Sequence, residues 1–150
     1  MEISNLFNEM KNQQELLQKF LDLIYLQQKA IINNDIVVLE DLLTKEGAFF
    51  NQIEAKKILM SDIIIQLAVK YSIILESNNL SDFINSLKLK NEFKLTGLIK
   101  LHESIKKLVY LIVEANNQNK ILINQAKSFI KQLVTIFAHA NKNSILDRRA

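Results

Sequence analysis

LIKLHESIKKLVYLIVEANNQNKILINQAKSFIKQLVTIFAHA, Leu98 to Ala140, repeats an apolar or small residue every third or fourth place. Leu98, Leu101, Ile105, Leu108, Ile112, Ala115, Asn119, Leu122, Ala126, Phe129, Leu133, Ile136 and Ala140 follow in alternating steps of three and four. That spacing is a heptad seam on one face of a helix. A second column, Val109, Asn116, Ile123, Ile130 and Phe137, runs beside it. The apolar face is therefore wide, as a bundle core requires, rather than a narrow two-stranded seam. At 1.5 Å per residue the helix spans roughly 65 Å. A helix with so broad an apolar side has to be covered by something.

Two further stripes lie upstream. Ile3, Leu6, Met10, Leu17, Phe20, Ile24 and Ile31 predict a first helix ending near Asn33. Asn33-Asn34-Asp35 is a tight connection, and Asp35 is a good N-cap because its carboxylate accepts from free N–H groups of the next turn. Ile36, Leu39, Leu43, Phe50, Ile53, Met60, Ile64, Leu67, Tyr71 and Ile74 predict a second helix to about Leu75. Gly47 lies inside it, as a point of close packing, a slight bend or a hinge. Ile63-Ile64-Ile65 is locally strand-like, but the long helical period outweighs it. A short third helix starts at Ser81 with Phe83, Ile84 and Leu87. Lys88 to Leu95 reads as helix or an irregular bridge, and Gly97 as a kink or the start of the last helix.

The 150 residues contain no proline and only two glycines, too little turn chemistry for a sheet protein. The expected fold is all-α: an elongated antiparallel bundle of three long helices plus one short one. A single bundle domain is expected over residues 1–140, with a mobile C-terminal tail over 141–150.

Cysteine is absent, so thiolate metal sites and disulfides are excluded. The two histidines, His102 and His139, lack the Glu-x-x-His and His-Glu-x-x-His spacings of metal sites. His102 beside Glu103 reads as a surface neighbour. Phosphate-loop glycine patterns and the Gly-x-Ser-x-Gly turn are missing. No catalytic residue, metal or cofactor is expected, and the chain does not read as an enzyme. MEISNLFNEMK has no signal-peptide pattern. The longest run without Asp, Glu, Lys or Arg, Gln132 to Asn141, is far too short for a membrane span. A cytoplasmic protein without membrane insertion is expected.

Charge is uneven. Residues 1–97 hold 10 Lys/Arg and 13 Asp/Glu, a net −3; residues 98–150 hold 9 and 3, a net +6. The aromatics of the basic third sit in the seam and not among the lysines, so no stacking platform for nucleic acid appears. Nucleic acid is not an expected partner.

Three stretches resemble the FlgN-like flagellar export chaperones. Asp35-Ile36-Val37-Val38-Leu39-Glu40-Asp41-Leu42-Leu43-Thr44-Lys45-Glu46 is similar to that family's second-helix opening. Glu114-Ala115-Asn116-Asn117-Gln118-Asn119-Lys120-Ile121-Leu122-Ile123 is similar to its pair of asparagines three apart followed by an apolar pair. Ser144-Ile145-Leu146-Asp147-Arg148-Arg149-Ala150 resembles its short Leu-Asp-basic-basic-Ala ending. Many members carry a Tyr-Gly…Gly stretch before the tail, where this chain has Asn141-Lys142-Asn143.

The resemblance implies a small non-enzymatic helical protein of the cytoplasm. Its partners would be the two flagellar hook–filament junction proteins and the flagellar type III export gate components. The chaperone would keep the junction proteins unassembled and deliver them for export, with cargo binding attributed mainly to the C-terminal helical region. The expected cargo residues are Ile123, Phe129, Ile130, Leu133 and Phe137, with Asn119 setting register. Phe129 and Leu133 are on the seam, which the first two helices would cover; the other three are on the flank, which they would leave open. Asn116 and Asn119 have a second reading, as polar residues facing solvent at the core's edge. The rival function is a generic helical adaptor or coiled-coil subunit, possibly homodimeric.

Overall fold

A computed structural model of the chain describes residues 2–90 and 95–149, with backbone alone over 144–149. Four helices follow in order: α1 (Ile3–Ile32), α2 (Ile36–Lys70), α3 (Leu80–Lys90) and α4 (Thr96–Arg149). No strand occurs among the described residues, so the all-α bundle of three long helices and a short one is the fold.

α1 is the middle helix. α2 and α4 both pack against it, while no Cα of α2 lies within 8 Å of one in α4. Its buried face is correspondingly broad: Leu6, Met10, Leu17, Phe20, Leu21, Leu23, Ile24, Gln27 and Ala30. Toward α2, Lys56 Nζ lies 2.9 Å from Glu9 Oε2, and Gln27 Nε2 donates to Glu46 Oε2 at 2.9 Å. The Phe20 and Phe49 rings meet at 6.2 Å between centroids. Toward α4, Gln14 Nε2 donates to Ser104 Oγ at 2.6 Å, and Gln28 Nε2 to Gln118 Oε1 at 3.3 Å. Both pairs are 90 residues apart in sequence. That constant offset means α1 and α4 run parallel without a register slip, with α2 antiparallel to both.

The chain reverses direction without glycine or proline. After α1, the N–H of Asp35 bonds the carbonyl of Ala30 and that of Asn34 the carbonyl of Ile31. Asn34 holds φ at 55°, the left-handed conformation that such a helix end needs and asparagine tolerates. Asp35 Oδ1 then accepts from Val38 N, so the expected N-cap forms.

α2 repeats the device earlier than its apolar period predicts. Ile73 N bonds Ala68 O, Ser72 N bonds Val69 O, and Ser72 holds φ at 51°. The helix stops at Lys70, not Leu75, because Ile73 and Leu75 reach the core from non-helical backbone. Ile74, counted in the stripe, is 94% exposed. Lys90 Nζ from the end of α3 donates to the carbonyls of Tyr71 and Ser72, placing a cation at the negative end of α2.

α3 lies between α2 and α4 and closes one end of the molecule with Phe83, Ile84 and Leu87, all fully buried. It starts one residue before Ser81, and Asn79 Oδ1 caps it by accepting from Asp82 N. It continues through Lys90; residues 91–94 of the expected bridge lie outside the described residues. α4 begins at Thr96, so Gly97 sits in its first turn. It runs past Ala140 to Arg149, longer than the seam alone predicts.

Gly47 has nothing within 4 Å of where a Cβ would stand, so it serves no close packing. It sits inside α2 without positive φ. Gly47→Ala should therefore stabilise the protein by about 0.5–1 kcal/mol. A urea melt at or below the wild-type midpoint would assign Gly47 a role that needs its backbone freedom.

Candidate functional site

Carried on at the register of the Gln28–Gln118 pair, Ile32 at the end of α1 lies level with Leu122. Beyond that level α4 has no helix beside it. The remaining 27 residues to Arg149 project by about 40 Å.

Burial follows this geometry. Leu98, Leu101, Ile105, Leu108, Ala115 and Asn119 of the seam are buried. Leu122 and Ile123 are half-buried, and every described side chain from Asn124 onward is exposed. In the docked half the seam is covered and Val109 on the flank is 46% exposed, as the two columns predict. In the overhang the distinction disappears. Phe129 on the seam and Phe137 on the flank are 60% and 66% exposed, with Ile130, Val134 and Ile136 similarly open and Leu133 at 36%. The expectation that α1 and α2 cover the seam here is corrected: both helices end at their connecting turn.

The overhang thus gathers Phe129, Ile130, Leu133 and Phe137 on one uncovered surface, with Ile123 half-buried at its root. Val134 and Ile136 belong to the same surface though sequence reasoning left them outside the site. Lys120, Lys127 and Lys131 follow one edge of it, Gln125, Ser128 and Gln132 the other, and no Asp or Glu occurs between Glu114 and Asp147. A wide apolar face with one basic and one neutral edge is equipped to hold an apolar stripe that has carboxylates along one side.

Asn119 stands apart from the other five. It is buried, and its Nδ2 donates to the carbonyl of Ile24 at 3.0 Å, across the α1–α4 contact. Its Oδ1 is buried without a hydrogen-bond partner. The solvent-facing reading of Asn119 is overturned: it occupies a core position in the last covered turn of α4.

His102 is likewise no surface neighbour. It is 8% exposed, with Nε2 3.1 Å from Ser81 Oγ at the start of α3. Burial lowers its pKa below the ordinary histidine value, Lys106 and Lys88 lower it further, and Glu103 opposes them. Its side chain borders a channel between α2 and α4 of about 560 Å³, lined also by Met60, Ile64, Ile105 and Val109. Nothing in one sequence distinguishes a buried histidine from an exposed one at the seam's margin. The only signal was its position one residue after Leu101.

Among the described residues, no helix is long and apolar enough to cross a membrane. No group of three His, Cys, Asp or Glu is placed to hold a metal ion. Residues 1–146 match the family model described as FlgN protein. No curated protein and no solved structure matches the chain.

Two outcomes follow from the buried polar groups. Asn119→Leu removes an unsatisfied oxygen and extends the seam, so the thermal midpoint should hold or rise. A fall of several degrees would show that the bond to Ile24 outweighs that oxygen's burial.

For His102, the folded ring gives up its proton at a lower pH than the unfolded one, whose value is about 6.5. In that window the unfolded chain binds more protons, so stability rises with pH. Stability should therefore be complete above about pH 7 and decline as pH falls below about 6.5. His102→Gln should lessen that decline, measured by denaturant midpoints across the window. Equal declines in both proteins would exclude His102 as the cause.

Proposed function

The chain belongs to the FlgN family of flagellar export chaperones, and on that footing we propose that it binds the hook–filament junction proteins through the overhanging half of α4. It holds them unassembled and delivers them to the flagellar type III export gate in the cytoplasm. FlgN is a chaperone family and not an enzyme family.

The observation that supports this reading is the uncovered overhang, where seam and flank are open together. A junction-protein helix laid along it buries its own apolar stripe and leaves none bare for polymerisation, the helix-in-groove mode of recognition. Phe129, Ile130, Leu133 and Phe137 supply the anchors, and Ile123 marks where the cargo surface begins. Asn119 sets register from inside the chaperone, fixing how far α4 slides along α1 and so where the overhang starts. The basic edge favours cargo helices with carboxylates along one side of the stripe.

The test is Ile130→Ser with Phe137→Ser in one chain. Both side chains are exposed, so the double variant should keep its stability within about 0.5 kcal/mol per site. Its affinity for a purified junction protein should fall by at least about tenfold. Undiminished binding would remove the overhang as the cargo site.

A further inference from the structure

We propose that the channel between α2 and α4 is a second helix-docking seat, which takes an acidic amphipathic helix of a partner protein. This does not depend on the overhang's holding cargo. α2 and α4 each pack on α1 but not on one another, so the three long helices leave open the place a fourth would occupy. α3 fills that place for 11 residues and stops at its Asn79 cap. The opening of about 560 Å³ begins there, with Asn79, Leu80 and Ser81 at its end.

The channel's walls are periodic beyond the part α3 fills. On α2, Leu43, Phe50, Lys57 and Ile64 recur every seventh residue, hence on one side of the helix. Lys57 and Ile64 line the opening; Leu43 and Phe50, further along the same side, are 48% and 56% exposed. On α4, His102 and Val109 line it, and Lys106 continues at sevens through Val113 to Lys120 and Lys127. Val109 and Val113 are 46% and 54% exposed. The α2 wall is thus apolar at three of its four heptad positions, and the α4 wall offers Val109 and Val113 between lysines.

The charge of the opening selects the occupant. Lys57 reaches it from α2 and Lys106, whose Nζ also lies 3.8 Å from Glu103 Oε1, from α4, and no carboxylate belongs to its lining. A helix carrying Glu or Asp on both edges of its apolar stripe meets a lysine on each wall. The α4 overhang of a second copy is excluded as occupant by its lysines, Lys120, Lys127 and Lys131.

The probe is a stapled three-heptad peptide with leucine at the seam positions and glutamate along both edges; its control has lysine at those edges. The acidic probe should bind the full chain saturably and the basic control at least about tenfold more weakly. In the Ile130→Ser, Phe137→Ser chain, whose overhang no longer competes for the probe, that order should persist, and adding Lys57→Glu with Lys106→Glu should reverse it. In NMR titrations of that overhang variant the ring signals of His102 should move and those of His139 should not. Absent binding, binding indifferent to the charge reversal, or binding lost only in the overhang variant overturns the seat without touching the cargo reading. A wild-type dimer that the charge reversal dissociates would assign the channel to a second copy, and likewise overturns it.

Discussion

Everything in this molecule rests on one shared helix. α1 is the surface on which α2 and α4 are both assembled, and its own length sets how much of each is covered. The parallel α1–α4 contact is held in a single register by pairs at a constant offset, Gln14–Ser104 and Gln28–Gln118. Apolar burial drives that contact without choosing where it starts, since a heptad seam fits itself equally well after a slip of seven. Directional polar bonds make the choice, and Asn119 on the Ile24 carbonyl marks where the contact ends.

A helix that outruns its support needs a physical explanation. An isolated helix of the overhang's length is marginal in water because its first turn is costly to form. Here the docked half of α4 supplies that turn, and each further residue adds one backbone bond. The overhang extends by propagation, with side chains free of the chain's own core. A surface made this way can hold many apolar side chains in water without endangering the fold, because none of them stabilises the bundle. The stability of the fold is thus separate from the exposed side chains of the overhang.

Seen along α4, the channel and the overhang are one track. His102, Val109, Asn116, Ile123, Ile130 and Phe137 recur every seventh residue, from the α3 end to the far end of the helix. The upstream part has a second wall, α2; the downstream part has none. The lysines on the adjoining edge continue across both. The neighbouring walls decide how deeply each portion of the track is enclosed.

Helix number, order and type were legible in the residues, because periodicity and the lack of glycine and proline leave no other economical fold. The Asp35 cap and the apolar track of α4 were legible for the same reason. The early end of α2 was not: Ser72 in a left-handed turn carries no mark in its identity, and Ile73 to Leu75 keep the apolar rhythm while leaving the helix. The burial of His102 and Asn119 depends on which neighbour stands opposite, which periodicity does not record. The reach of the open surface lay half in view, since a seam of 43 residues cannot be covered by a first helix of 30. Its place was decided only in three dimensions. The seam is equally apolar at both ends, and only the parallel register of α1 against α4 determines which end is left in water.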